Sequence, residues 1–341
     1  MKILSKSLLA FAVGAVFLVS CEDEPANPLP EETKDTVVVD TAPKVPTPDF
    51  NADSAYQYVY DQVAFGPRVP NTPSHKACGL WLESELTKYG FEVILQEAIV
   101  PAWDGSKLEM KNIIGQFNKE SKERILLCAH WDTRPYADKD TVDRFKPIDG
   151  ANDGGSGVGV LLEIARQISI KSPGYGVDII FFDAEDYGTI HDAGYQSIQQ
   201  MLDDWCLGSQ YWARNLHVAN YSPKYGILLD MVGAPNATFP KEGLSHKFAG
   251  HKVTAIWKAA EGLGYGNYFV KKMAGAITDD HTFINNIAGI PTLDIIDMNV
   301  EGQYWTFGSF HHTHADNMDI IDKKTLKAVG QTVMEAIYQK L

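Results

Sequence analysis

Three apolar runs constrain the fold of this chain more than any other feature: "RILLCAH", "VDIIFFDAE" and "YGILLDMVG". Each is a continuous stretch of aliphatic and β-branched residues, which is the pattern of strands buried on both faces of a sheet. Helical patterns such as "GVGVLLEIARQIS" and "HKVTAIWKAAEGLG" alternate with such strands along the chain. The alternation predicts an α/β fold, a three-layer sandwich in which helices flank a central twisted, mostly parallel mixed β-sheet.

Polar residues stand at the end of each apolar run. They are His130 and Asp132 for the first run, Asp183, Glu185 and Asp186 for the second, and Asp230 for the third. A single Asp in such a place is often a turn or cap residue. In open α/β sheets, however, ligands bind at the carboxyl ends of the strands. Three strands that each end in His or a carboxylate therefore predict a shared site at that edge.

The glycine-rich loop "GANDGGSGVG", residues 150–159, lies between a predicted strand and a predicted helix, as a phosphate-binding loop would. It lacks both the Lys-Ser/Thr pair of a P-loop and the spacing of a dinucleotide-binding motif. The carboxylate of Asp153 in the loop would also repel a phosphate. We therefore predict that the loop presents Asp153 to a cation. Carboxylate and imidazole ligands without a thiolate suit catalytic Zn²⁺ or a related divalent metal.

A histidine tract, "FHHTHADN" at residues 310–317, contains three of the ten histidines. Such a tract taken alone is often an exposed loop. The acidic strand edge, however, offers few imidazole groups of its own. The tract is therefore the natural source of a further metal ligand.

Composition bounds the other possibilities. The chain has 341 residues, enough for one large domain or two small ones, and shows no internal repeat. A formal net charge of −14 argues against a nucleic-acid partner, because phosphate binding requires a basic surface. Beyond Cys21 the cysteines are Cys78, Cys128 and Cys206. They are odd in number and widely spaced, so we expect neither a disulfide framework nor a cysteine metal site.

The N-terminal segment is predicted to lie outside the fold. Residues 1–20 combine early lysines with the apolar run "LLAFAVGAVFLV", which is too short for a membrane span and typical of a secretory signal. The run ends in "LVSC", which resembles a bacterial lipobox with Cys21 as the lipidated residue; an ordinary signal peptide is the alternative. Residues 21–50 are typical of a disordered tether, and residues 51–341 of a single domain. We therefore expect an exported protein, lipid-anchored in the bacterial cell envelope.

The order of the motifs "AHWD", "GANDGGSG", "FFDAED", "LLDMVGAPNATFP", "DDHTF" and "HHTHADN" resembles the zinc aminopeptidase superfamily. It is most similar to the glutaminyl cyclase branch, the animal-type glutaminyl-peptide cyclotransferases and their bacterial relatives. The similarity runs from about residue 64 to residue 316. It implies an enzyme that converts the N-terminal glutamine of peptides or proteins to pyroglutamate and releases ammonia.

The same resemblance implies a role for particular residues. The zinc ligands would be Asp153, Asp186 and His312. The general acid and base would be Glu185, and the paired carboxylates beside the substrate amine would be Asp230 and Asp279. His130 and Asp132 would hold the site residues in place without contacting the substrate. For Asp279, the alternative interpretation is the N-cap of a helix. We expect one zinc per chain and a monomer.

The chain departs from the animal enzymes in three places. Asp186 stands where they have Glu, and His311 stands where they have Trp just before the histidine ligand. The aromatic wall of the substrate pocket would then come from Trp305 or Phe310. The position that would pair with Cys128 in a disulfide is Val158, so that bridge cannot form.

Two other functions stay open on the sequence. A two-zinc aminopeptidase would take its ligands from the positions of His130, Asp153, Asp186, Asp230 and His312, and all five residues are suitable. A non-catalytic envelope lipoprotein would use the fold to bind peptide ends. The presence of Glu185 and of every metal position argues against this second alternative.

Overall fold

The computed structural model describes residues 45–190, residue 193 and residues 197–341. The predicted signal peptide, Cys21 and the first part of the predicted tether lie outside these residues. The described residues, from Val45 onward, form one compact unit. No helix among the described residues is long and apolar enough to cross a membrane.

The strands of the described residues are, in chain order, β1 (Glu92–Pro101), β2 (Lys107–Phe117), β3 (Arg124–His130), β4 (Gly176–Phe182), β5 (Gly226–Asp230), β6 (Phe239–Lys241), β7 (Phe269–Met273), β8 (Thr292–Ile296), β9 (Asn299–Glu301) and β10 (Tyr304–Thr306). Six of them form the central sheet in the order β1-β2-β4-β3-β5-β8. Strands β4, β3, β5 and β8 pair in parallel, whereas β2 is antiparallel to both β1 and β4. The predicted mixed, mostly parallel sheet is confirmed.

The helices are α1 (Ala52–Val63), α2 (Pro73–Lys88), α3 (Gly155–Ile170), α4 (Ile198–Asp204), α5 (Leu207–Arg214), α6 (Gly243–Gly262), α7 (Asp280–Phe283) and α8 (Lys323–Gln339). A π-helical turn, Ile284–Ala288, follows α7 directly. The helices begin where local chemistry favours it. For example, the Thr72 hydroxyl accepts a hydrogen bond from the His75 amide, and Pro73 takes the first helical position of α2.

Side chains of the strands alternate between two cores. In β3, Leu127 and Ala129 point to one face of the sheet, which is covered by α1, α2, α3, α6 and α8. Leu126 and Cys128 point to the other face, where α5 and the segment after α7 cover them. The helix layers on both faces confirm the predicted three-layer sandwich. They also bury β3, β4, β5 and β8 completely, which leaves the ends of these strands as the places where polar side chains gather.

Candidate active site

The carboxyl ends of β3 and β5 meet the glycine-rich loop at one edge of the sheet. His130 ends β3, and its Nε2 atom lies 3.1 Å from Asp153 Oδ1 in the loop and 3.3 Å from Asp230 Oδ1 at the end of β5. All three side chains are at least nine-tenths buried. The structure thus brings together residues that are separated by up to 100 positions in the sequence.

The glycines of the loop allow Asp153 to face this edge. Gly154 has a φ of 82°, and a Cβ atom there would lie 2.9 Å from the carbonyl oxygen of Asp132. A side chain at this position would therefore both strain the turn and clash with its neighbour. On the other side, the buried carboxylate of Asp316 accepts hydrogen bonds from the amides of Asn152 and Asp153, at 2.7 and 3.0 Å. The close packing of Gly154 against Asp132 and the hydrogen bonds to Asp316 therefore fix the position of the loop.

A tight turn after β4 presents Glu185 and Asp186. Ala184 in the turn has a φ of 53°, in the left-handed region. The carboxylate of Asp132 accepts hydrogen bonds from the amides of Glu185 and Asp186, at 3.0 and 3.1 Å. The buried Asp132 thus supports the turn through its backbone and leaves the side chains of the turn free to face the site.

His312 supplies an imidazole from the histidine tract. Its Nε2 atom lies 3.2 Å from Asp186 Oδ1 and 3.8 Å from Asp153 Oδ2. The ring stacks on Trp205, with centroids 5.8 Å apart and planes only 4° from parallel. Burial lowers the pKa of His312 well below its ordinary value. The imidazole is therefore neutral at physiological pH, which is the form that binds a metal.

We call Asp153, Asp186 and His312 the metal cluster. Within the described residues, Asp153 Oδ2 and both carboxylate oxygens of Asp186 are buried and receive no hydrogen bond. Burial, with the neighbouring Asp153 carboxylate, raises the pKa of Asp186 well above its ordinary value. Buried oxygens without donors are costly unless a cation pairs with them. The donor set of two carboxylates and one neutral imidazole fits catalytic zinc.

His130 belongs to a second possible cation site. His130, Asp153 and Asp230 each offer one atom, and these atoms lie within 4.8 Å of one another. Burial alone would lower the pKa of His130, but hydrogen bonds with Asp132, Asp153 and Asp230 raise it well above its ordinary value. One Nε2–H group thus lies within hydrogen-bond distance of both Asp153 and Asp230 and joins the two carboxylates.

We call Glu185, Asp230 and Asp279 the carboxyl cluster, because all three line the same cavity beside the metal cluster. Burial raises the pKa of Glu185 well above its ordinary value and that of Asp230 to about 7, and it also raises the pKa of Asp279. Asp279 is in addition the N-cap of α7, where its side chain accepts a hydrogen bond from the Asp280 amide. Asp279 therefore both caps α7 and lines the cavity, so the two interpretations of this residue are compatible.

The cavity that joins both clusters has a volume of about 560 Å³. Its aromatic wall consists of Trp205, Trp305 and Phe307. Of the two aromatic residues expected for this wall, Trp305 lies there, whereas Phe310 packs into a small core with Met231 and Ile277. A second cavity, of about 570 Å³, lies between α2 and the β1–β2 pair and contains neither cluster.

His311, the residue that replaces the expected tryptophan, also lines the cavity. Lys139 donates a hydrogen bond of 2.6 Å to its Nδ1 atom, and burial lowers the pKa of His311 to about 3. The position is thus occupied by a neutral ring that packs against His312, with ring centroids 3.7 Å apart. Sequence reasoning missed Trp205, Phe307 and Lys139 because no motif or periodic pattern marks them.

Comparisons with known proteins agree with this geometry. The sequence profile described as "Peptidase family M28" matches residues 112–337. The glutaminyl-peptide cyclotransferase of Bos taurus is 26% identical over 266 residues, which cover 67% of this chain and 66% of that protein. The chain thus spans slightly less than two thirds of that relative.

Two solved structures are much more similar. A Zn-dependent exopeptidase from Parabacteroides distasonis is 57% identical, with a TM-score of 0.82, over 86% of this chain and 99% of that one. The glutaminyl cyclase of Bacteroides thetaiotaomicron, bound to N-acetylhistamine, is 54% identical with the same TM-score and the same coverage. The similarity therefore extends over most of the described residues.

Proposed function

Because the chain belongs to peptidase family M28, we propose that it is a zinc-dependent glutaminyl cyclase that converts N-terminal glutamine to pyroglutamate and releases ammonia. The similarity to the cyclases of B. thetaiotaomicron and B. taurus supports this choice within the family. The structural observation that carries the proposal is the carboxyl cluster. Three buried carboxyl groups with raised pKa values line one cavity, directly beside the metal cluster.

Cyclisation requires a proton to move twice. The α-amine of the substrate attacks its own γ-amide carbon, so the nitrogen must lose a proton, and the departing amide nitrogen must gain one to leave as ammonia. Glu185 lines the cavity, and burial raises its pKa well above the ordinary value, which makes its carboxylate a stronger base for taking the proton that it later returns. We assign Glu185 as the general base and then the general acid.

Asp230 and Asp279 are assigned to hold the amine. Both line the cavity, and burial raises both pKa values. The charge of Asp279 also contributes to the raised pKa of Asp230, because two carboxyl groups in one buried site resist double ionisation. The acceptor oxygens of the pair orient the N–H bonds of the amine towards the reacting position. Holding the amine near the amide lowers the entropic part of the barrier.

Asp153, Asp186 and His312 are assigned to hold one zinc ion. When bound, zinc supplies a Lewis acid that polarises the amide oxygen and stabilises the negative charge that develops on it. The residues around the ligands keep them in place. Arg134 binds the Asp186 carbonyl oxygen at 3.0 Å, and Trp205 stacks on the His312 ring.

The proposed count of one zinc depends on His130. Its Nε2 atom already hydrogen-bonds to both Asp153 and Asp230, so a second ion between these three residues would have to displace those hydrogen bonds. The alternative is a two-zinc aminopeptidase, which is favoured by the fact that His130, Asp153 and Asp230 lie close enough to bind one ion. In that enzyme an activated water would replace the amine as nucleophile.

The product distinguishes the two enzymes. We expect zinc-loaded protein to release ammonia from Gln-initiated peptides, with the mass loss of pyroglutamate formation, and to cleave Leu- or Ala-initiated peptides poorly. Both substrates are incubated side by side and analysed by mass spectrometry and an ammonia assay. Release of free leucine with no ammonia from glutamine would replace the cyclase by the aminopeptidase.

We also propose that the enzyme is a monomer anchored to the bacterial envelope through Cys21; the predicted lipobox supports the anchor. Acyl chains contribute about 0.8 kcal/mol per buried CH₂ group, so a multiply acylated Cys21 would hold the protein firmly on a membrane. Cys21→Ser is expected to move the protein from the membrane fraction to the soluble fraction. A wild-type protein that is already soluble and carries no lipid would contradict this proposal.

A further inference from the structure

Cys206 lies directly behind the proposed acid and base. Its side chain is fully buried, and Sγ lies 3.1 Å from Glu185 Oε1. The backbone of Cys206 contacts the same residue, because its amide donates a hydrogen bond of 3.0 Å to the Glu185 carbonyl oxygen. The next amide, that of Leu207, donates to the Ala184 carbonyl oxygen, also at 3.0 Å. The start of α5 is thus fastened to the turn that carries Glu185.

The backbone conformation of Cys206 and the absence of a capping hydrogen bond indicate that its side chain does not serve as the N-cap of α5. The residue has φ 57° and ψ 38°, in the left-handed region that favours Gly or Asn. It precedes α5 at the N-cap position, but its side chain makes no capping hydrogen bond to the helix. A non-glycine residue in this region costs about 1–3 kcal/mol and is found mainly where surrounding structure requires it. Here the thiol is directed at Glu185.

The thiol acts as a hydrogen-bond donor. Burial, with the carboxylates of Glu185 and Asp280 nearby, raises the pKa of Cys206 well above its ordinary value. The sulfur therefore keeps its proton, which excludes a nucleophilic thiolate. Cys206, Glu185 and Asp279 lie close enough to share one ion. The direct contact of 3.1 Å between Sγ and Glu185 Oε1, at hydrogen-bond distance, favours the donor role.

We propose that Cys206 is a positioning residue: its S–H group donates to Oε1 of Glu185 and fixes the carboxyl orientation, so that Oε2 is the oxygen that exchanges protons with the substrate. The inference rests on the assignment of Glu185 as acid and base. The inference holds for either proposed enzyme, because a two-zinc aminopeptidase would also use the Glu185 carboxylate as its acid and base. Cys206 itself is not among the side chains that line the cavity.

The kinetic test compares Cys206→Ala, Cys206→Ser and the control Cys128→Ala, which removes a buried cysteine from the core beneath α5. Alanine and serine, like cysteine, carry a Cβ atom in the left-handed backbone conformation of position 206. The comparison between the two variants therefore isolates the effect of the hydrogen-bond donor on the side chain. We expect Cys206→Ala to lower kcat by roughly 10- to 100-fold with KM changed less than about twofold, and Cys206→Ser to restore kcat to within about fivefold. Zinc content should stay constant. A serine variant as slow as the alanine variant, or a loss in KM alone, would overturn the proposal.

An infrared measurement tests the contact without any activity assay. The difference spectrum between wild type and Cys206→Ala isolates the S–H stretching band of Cys206. We expect this band at lower frequency than the band isolated in the same way for Cys78, and we expect Glu185→Gln to shift it upward, because an amide oxygen is a weaker acceptor than a carboxylate. A band that does not respond to Glu185→Gln would overturn the inference, even if the protein proves to be an aminopeptidase.

Discussion

The metal cluster and the carboxyl cluster are built from the same kind of residue at the same edge of the sheet, yet they are suited to different tasks. In the metal cluster, burial leaves His312 neutral, and Asp186 has two buried oxygens without donors. The carboxyl cluster has no imidazole among its members, although His130 contacts Asp230 at its edge, and burial raises the pKa of every member. The first arrangement favours a cation and the second favours a proton.

The comparison is sharpest between Glu185 and Asp186, which are neighbours in the sequence. The amides of both residues donate to the same Asp132 carboxylate, but the side chains belong to different clusters. Asp186 lies beside the His312 ring, whereas Glu185 accepts a hydrogen bond from Cys206. On the proposed assignment, the partners of each side chain, rather than burial alone, distinguish the ligand Asp186 from the acid and base Glu185.

The largest effect is expected in the metal cluster. His312→Ala removes the only imidazole assigned as a ligand, so zinc content and activity should be lost together. Metal analysis after dialysis and the ammonia assay on the same sample would measure both. If the variant kept its zinc while losing activity, His312 would belong with the acid and base groups instead.

A smaller effect, restricted to turnover, is expected in the carboxyl cluster. Glu185→Gln keeps the shape of the side chain but removes its ability to take up a proton. We expect it to bind zinc normally and to lower kcat by roughly 10²–10⁴-fold, the usual range for a lost general acid or base. Loss of zinc from this variant would show that the two clusters are not separable.

The pH dependence of stability gives a further effect. Burial raises the pKa of Asp230 from its ordinary 3.8 to about 7 in the folded protein. Between these values the folded chain holds a proton that the unfolded chain has released, so stability from this group is present at low pH and is lost as the pH rises towards 7. In metal-free protein, Asp230→Asn should flatten this decline by about 3 kcal/mol between pH 4 and 7. Denaturant unfolding at several pH values measures the change, and an unaltered decline would contradict the raised pKa.

The smallest effect is expected just outside the metal cluster. His314 is in the same tract as His312, but its amide donates to Asp140 and its ring contacts the Asp143 carbonyl oxygen in an exposed position. His314→Ala should therefore change zinc content and kcat less than about twofold. This variant is also the matched control for His312→Ala, and a reversal of the two results would place the ligand two residues later.

Much of this architecture could be predicted, because its signals are local. The run "RILLCAH" corresponds to β3 residue for residue, and its polar end is His130. Strand-end carboxylates could likewise be assigned to one edge, because parallel strands bring their carboxyl ends together. What could not be predicted was which partners each carboxylate would receive, since the contacts of Asp132 and Asp316 join segments far apart in the chain.

The sequence predicts no helix in the segment between Glu185 and Asp230, and this is the largest difference between the prediction and the structure. Helices α4 and α5 have only 7 and 8 residues, too few for a clear period, and α5 begins from the left-handed Cys206. Trp205 and Cys206 lie at that junction and contact His312 and Glu185. One residue therefore supports each cluster, in a stretch that carries no recognisable pattern.

The position of bound zinc tests the division between the two clusters most directly. Crystals of the protein grown with excess zinc would be measured by anomalous scattering at the zinc absorption edge. We predict a single strong peak between Asp153, Asp186 and His312, with His130 still hydrogen-bonded to Asp230. A second peak of comparable height between His130, Asp153 and Asp230 would contradict the account and would favour the two-zinc aminopeptidase.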